Sequence, residues 1–220
     1  MSYSHDEAIA ELQAAGQYLL GHGLAWGNAG NLSARTGPDS YIITASGTRL
    51  GELAPGDFAA CRVGAPHSGD GPRPSKERPM HEAVYAARPE VTAVLHAAPF
   101  YSTLLACAEI EPPSNLFVET MYYLERTARV PYHHPGTVEL GEAVAAVARR
   151  ANALLLENHG VLVYDTSVRE ALMGLHTLEL ACRMVVEARA AGIALRGLPP
   201  AVERDFLTRS GYRPRRQWPI

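Results

Sequence analysis

Three side chains in this chain stand where chemistry is usually built. His96 closes a short β-branched run and is followed by small residues. His159 sits on a turn beside Gly160, between two apolar runs. Glu77 opens a helical segment directly after Pro74-Ser75-Lys76. Strand ends and the turns between strands are common positions for functional groups. Two imidazoles and a carboxylate suit a divalent metal such as zinc, manganese or iron(II). Spacing alone does not make the site, because no two of these histidines stand at a zinc-ligand interval. Each of them taken singly reads more readily as a satisfied, partly buried imidazole, and His5, His22, His67 and His176 are read that way.

Two turns offer a second kind of chemistry. Gly27 to Ser33 and Thr44 to Thr48 combine glycines with short polar side chains. Such turns present backbone N–H groups and hydroxyls that can hold a phosphate. Neither turn is a Walker loop or a GxGxxG fingerprint. Lys76 is the single lysine among 20 basic residues, which marks it for a special position or for an exposed loop.

The elements that must position these residues follow from pattern and caps. Ser4, with Glu7 three residues on, opens a helix that ends at Gly21. Tyr41 to Thr44 reads as a buried strand. The stretch 64–74 is a Gly/Pro/Ser-rich surface loop. A helix is expected from Glu77 to about Ala87, a strand from Val91 to His96, and helix again from Tyr101 to Ala108. Thr137 caps a helix to about Ala151. Two buried strands, Ala153 to Leu156 and Val161 to Tyr164, flank Asn158-His159-Gly160. Ser167, with Glu170 behind it, starts a long helix to about Ala191. Residues 1–196 form one domain, and 197–220 are a Pro/Arg-rich tail that carries Arg209, Arg213, Arg215, Arg216 and Trp218. Strands and helices mix without strict βαβ alternation, so the fold class is α/β, in layers around a mostly antiparallel sheet.

Composition sets the outer bounds. The chain has 220 residues, 47% of them hydrophobic, and a net charge of −3. That is enough for one sizeable core, and it lacks the basic excess expected of a nucleic-acid binder. The longest apolar runs are too short to span a membrane. Asp6 and Glu7 near the start argue against a signal peptide. Cys61, Cys107 and Cys182 are odd in number and widely spaced, which suits a reducing cytoplasm rather than a disulfide framework.

Six segments then occur in order: Gly27-Asn28-Ala29-Gly30-Asn31-Leu32-Ser33, Thr44-Ala45-Ser46-Gly47, Pro74-Ser75-Lys76-Glu77, the strand ending at His96, Pro135-Gly136-Thr137, and Glu157-Asn158-His159-Gly160-Val161. Together they resemble the class II aldolase/adducin family over about residues 5 to 190. That resemblance implies an α/β/α domain, a homotetramer with active sites between subunits, and a metal-dependent lyase acting on a small phosphorylated hydroxy-carbonyl compound through an enediolate. Aldol cleavage and decarboxylation are the reactions it favours. Asn31, Ser46, Gly47 and Ser75 take the family's phosphate-binding positions. Glu77 takes the place of its acid/base, which can also bind the metal, and His96 and His159 take those of metal ligands, with zinc the leading ion.

Three departures from the family pattern stand out. Its HxH pair reads His96-Ala97-Ala98 here, so one imidazole is absent. Glu77 can fill that gap, as can His133 or His134 from beside the Pro135-Gly136 turn. An ungapped count places Phe117 where the family's aldolases have a catalytic tyrosine; Tyr122 and Tyr123 are the nearby substitutes. Lys76 replaces a phosphate-binding serine and can hold a phosphate or a carboxylate. A rewired iron oxygenase or a metal-free scaffold is the alternative to the lyase.

Overall fold

A computed structural model describes residues 2–212 together with Arg216 and Trp218. Seven strands make one sheet: β1 (Asn31–Arg35), β2 (Ser40–Thr44), β3 (Phe58–Arg62), β4 (Ala93–Ala97), β5 (Thr127–Val130), β6 (Ala153–Leu156) and β7 (Gly160–Asp165). Their order is β3-β2-β1-β4-β7-β6-β5. Every neighbouring pair is antiparallel except β5 with β6. The expected layered α/β fold with a mostly antiparallel sheet is therefore present.

Side-chain alternation along the strands builds two cores, one on each face. Ala93, Leu95 and Ala97 of β4 face a core shared with α1 (His5–Gly21) and α6 (Val168–Ala190). Val94 faces a second core with α2 (Arg78–Ala87) and α5 (Val138–Ala148). His96 shares Val94's phase and so points to the α2 side. Leu12 and Leu19 of α1 are fully buried; burying such a side chain is worth roughly 1.5–3 kcal/mol.

The caps behave as their chemistry dictates. Ser4 and Glu7 form a capping box on α1, Thr137 caps α5, and Ser167 caps α6. Among the described residues, no helix is long and apolar enough to cross a membrane.

Several elements differ from expectation. β1 begins inside the run of turn-forming residues, and all five of its residues are buried. β3, β5, the short α4 (Val118–Tyr123) and α7 (Pro200–Arg209) lie in stretches without a clear periodic signal. α3 (Phe100–Ala106) is shorter than expected. α5 stops at Ala148, where the Arg88 guanidinium donates to the carbonyl oxygens of Ala148 and Ala151. In the C-terminal segment, α7 is followed by Arg216, which pairs with Asp165, and by Trp218, whose indole donates to Glu125. Arg213 and Arg215 lie outside the described residues.

Candidate active site

The end of β4 is squeezed from both sides. A Cβ on Gly30, which precedes β1, would lie 2.6 Å from the His96 carbonyl oxygen, and Gly30 has φ +96°. A Cβ on Gly160 would lie 2.6 Å from the Ala97 carbonyl oxygen. Only glycine permits both approaches. They bring Asn31, directly opposite His96 in the β1–β4 register, and His159, just before β7, to the same place.

Glu77 arrives from the α2 side. It is the N-cap of α2, with no side-chain capping bond of its own, and its N–H donates to Ser75 Oγ at 3.3 Å. Its carboxylate is thus free to turn toward the sheet. Glu77 Oε2 accepts from Asn31 Nδ2 at 2.7 Å and lies 3.4 Å from His96 Nε2. Glu77 Oε1 stands 2.9 Å from His159 Nε2. One ligand atom from each of Glu77, His96 and His159 falls within 4.8 Å of the others.

The protonation pattern suits a cation. His96 Nδ1 lies 2.9 Å from the Val161 carbonyl oxygen. A carbonyl only accepts, so Nδ1 carries the proton and the Nε2 lone pair faces the cluster. Burial, joined by the charge of His159, holds His96 below the usual imidazole range. Burial alone would raise the Glu77 carboxyl; the His159 contact, the charges of His96 and His159, and the Asn31 amide outweigh it and bring it down to about 2. Glu77 Oε1 is buried yet accepts no aligned hydrogen bond. A carboxylate oxygen and an imidazole nitrogen this close, with no aligned proton between them, is an arrangement that a divalent cation relieves. The three residues therefore fit the metal that the sequence pattern implies.

Residues 10–186 match the family described as Class II Aldolase and Adducin N-terminal domain. The chain belongs to that family. It is 34% identical to the 3-oxo-tetronate 4-phosphate decarboxylase of Pectobacterium atrosepticum, over 83% of this chain and 85% of that protein. YgbL of Klebsiella pneumoniae has a similar structure, with a TM-score of 0.85 and 29% identity, covering 93% of this chain and 99% of that one. A solved L-fuculose 1-phosphate aldolase gives a TM-score of 0.83 at 26% identity, over 93% and 96% of the two chains.

Within this class II aldolase fold, the other sequence-derived positions fall into groups. Ser46 and Gly47 form an exposed turn after β2; the Ser46 N–H donates to the Arg73 carbonyl. Two clefts, of about 530 and about 510 Å³, share Gly47, Arg49 and Glu52. Trp26 to Ala29 line the first, and Ser46 and Arg73 line the second. Ser75 is half-buried beside this turn, its N–H on the Thr44 carbonyl. Lys76 is exposed. Asn31 is instead 5% exposed, with its amide engaged by Glu77 and by His81.

His133, His134, Tyr122 and Tyr123 do not join the Glu77–His96–His159 cluster within one chain. His134 is exposed, with Nδ1 3.1 Å from Tyr132 OH. Its loop does approach the Pro-Ser-Lys-Glu motif, because a Cβ on Gly136 would lie 2.8 Å from the Lys76 carbonyl oxygen. Tyr122 and Tyr123 are buried in α4, which packs on α6 across the sheet from α2. The Arg216 guanidinium lies 4.5 Å from the Tyr122 ring centroid.

Two residues near the site, His81 and Tyr85, carry no signal in the motifs above, and Ser33 closes the first of those motifs with no role of its own assigned there. All three are buried, and Ser33 is hydrogen-bonded to both His81 and Tyr85. The one available clue is helical spacing, since His81 stands four residues after Glu77 and Tyr85 four after that.

Proposed function

We propose that the chain is a metal-dependent decarboxylase of a phosphorylated 3-oxo sugar acid. The chain is a lyase of the class II aldolase type, and its relatives include decarboxylases, aldolases and a dehydratase. The observation that favours decarboxylation is how Glu77 is held. Asn31 donates to one of its oxygens and the other faces His159 within the candidate metal cluster, while position 98 holds alanine and position 117 phenylalanine.

An aldol cleavage begins by removing a hydroxyl proton, which needs a free base. Loss of carbon dioxide needs none. In 3-oxo-tetronate 4-phosphate the C1–C2 bond breaks, C1 leaves as carbon dioxide, and the electron pair stays as an enediolate over C2 and C3. One proton delivered to C2 from water completes dihydroxyacetone phosphate. A site whose carboxylate is tied down, and which lacks the phenol at position 117, still meets these needs.

In this reading Glu77, His96 and His159 hold the metal. When bound, the ion supplies a Lewis acid that stabilises the enediolate charge. Zinc fits two imidazoles and a carboxylate, with manganese and iron(II) the alternatives. Ser46, Gly47 and Ser75 hold the phosphate through N–H and hydroxyl donors, and Lys76 is the cation facing a substrate anion. The working form is a cytoplasmic homotetramer with sites between subunits. The exposed Phe100 and Val138, at 69% and 66%, give it apolar surface to bury.

The test is product analysis with metal-loaded enzyme and 3-oxo-tetronate 4-phosphate. Stoichiometric carbon dioxide and dihydroxyacetone phosphate are expected. Cleavage of fuculose 1-phosphate with no carbon dioxide from the oxo acid would overturn the reading in favour of an aldolase.

A further inference from the structure

The residues behind Asn31 form a single hydrogen-bonded line. Asn31 Oδ1 lies 2.6 Å from His81 Nε2. His81 Nδ1 lies 2.7 Å from Ser33 Oγ, and Ser33 Oγ lies 2.8 Å from Tyr85 OH. Relative exposures are 5% for Asn31, 0% for Ser33 and His81, and 2% for Tyr85. A buried polar row costs stability unless each member is satisfied, and here each is.

The donor directions follow from Glu77 outward. A carboxylate only accepts, so Asn31 must turn its NH2 to Glu77 and its carbonyl oxygen to His81. His81 Nε2 then carries the proton, leaving the Nδ1 lone pair to accept from the Ser33 hydroxyl. Ser33 in turn accepts from the Tyr85 phenol. Full burial keeps His81 neutral, with its pKa down at about 3, so the ring has one donor and one acceptor, as the row requires. An amide does not pass protons along, so Asn31 insulates Glu77 from His81. The row can orient Glu77 but cannot titrate it.

We propose that His81, fixed by Ser33 and Tyr85, is a positioning residue that locks the Asn31 amide and so selects Glu77 Oε1 as the oxygen offered to the metal. The inference rests on the metal-site reading above. With Asn31 on Oε2, the oxygen left without an aligned donor is Oε1, which faces His159. If His81 did not fix the amide, Asn31 could flip, turn its own oxygen to the carboxylate and push it out of place.

The experiment is zinc binding to the full-length protein, by competition with a chelating indicator, alongside thermal melting. His81→Leu should weaken zinc binding about 10–100-fold, the range for lost outer support of a ligand. His81→Gln, which keeps a donor and an acceptor, should recover most of it. In an Asn31→Ala background His81→Leu should cause no further loss, because the two act as one unit. Ser33→Ala, which removes a single hydroxyl, gives the same tests if His81→Leu fails to fold. Wild-type affinity in His81→Leu, or an equal loss with and without Asn31, would overturn the proposal. Undiminished zinc binding in Glu77→Gln and His159→Ala would overturn the metal-site reading itself.

Discussion

Trp26 donates its indole N–H to the carbonyl oxygen of Ala98 at 2.9 Å. This bond ties the glycine-asparagine loop to Ala98, the first residue after β4. Gly30 and Gly160 bring their backbones against the same short stretch. The path of the chain through Ala98 is therefore set by backbone and indole contacts, independently of a side chain at that position.

Position 98 is accordingly where a third imidazole can be tested. Residues two apart in extended chain share a face, so a histidine at 98 would point with His96. Ala98→His is expected to tighten zinc binding by about tenfold or more, comparable to what support of a ligand commands. Competition with a chelating indicator measures it. Unchanged affinity would mean that position 98 does not face the ion.

Metal loading should also appear in stability. A ligand that binds only the folded state at 100 times its Kd adds about 2.7 kcal/mol. For a chain of this size that corresponds to a Tm shift of about 5–10 °C. Chelation should lower the Tm of metal-loaded enzyme by this order and abolish turnover, and zinc should restore both. His159→Ala should melt at one temperature with or without chelator. A chelator response that survives in His159→Ala would place the ion elsewhere.

His81 predicts a pH dependence. Its folded pKa is about 3 against the ordinary 6.5. Between these values the unfolded chain binds a proton that the folded chain does not. Stability from this group is complete above pH 6.5 and falls as the pH drops toward 3, by about 1.4 kcal/mol per unit. His96, also held low by burial, adds the same sign. Denaturant midpoints from pH 7 to 4 should show a shallower slope in His81→Gln than in wild type. Equal slopes would mean that His81 is not held neutral.

How far the sequence could go is clear from individual elements. α1, α5 and α6 announce themselves through Ser4, Thr137 and Ser167, whose side chains must satisfy the first free N–H groups of each helix. β6, and β7 from Val161 to Tyr164, are uninterrupted apolar runs. β1 is hidden because Asn31, Ser33 and Arg35 are turn-like or polar residues, made tolerable by partners distant in the chain. One is Val91, whose carbonyl receives Arg35 Nε at 2.9 Å. Glu77, His96 and His159 could be named from motif order, but their approach within 4.8 Å depends on strand register and on two glycines. The row behind Asn31 was beyond reach for the same reason: Ser33 and His81 meet only once β1 lies under α2.

The C-terminal segment supplies the last prediction. Arg216 Nη2 lies 2.6 Å from Asp165 Oδ2, Nε lies 3.1 Å from the same oxygen, and Nη1 donates to the Tyr122 carbonyl. Both side chains are 6% exposed, so the pair is shielded from solvent, unlike an ordinary surface pair. Arg216→Ala would leave the Asp165 carboxylate buried with, among the described residues, only its bond from the Thr166 N–H. Removing one partner of a buried pair costs about 3–5 kcal/mol. Replacing both with apolar residues, as in Asp165→Leu with Arg216→Met, should cost much less than the single change, since no charge is stranded. Urea unfolding midpoints of the single and double variants decide the matter. A loss below about 1 kcal/mol in Arg216→Ala, the worth of an exposed pair, would show that the segment does not hold this contact in solution.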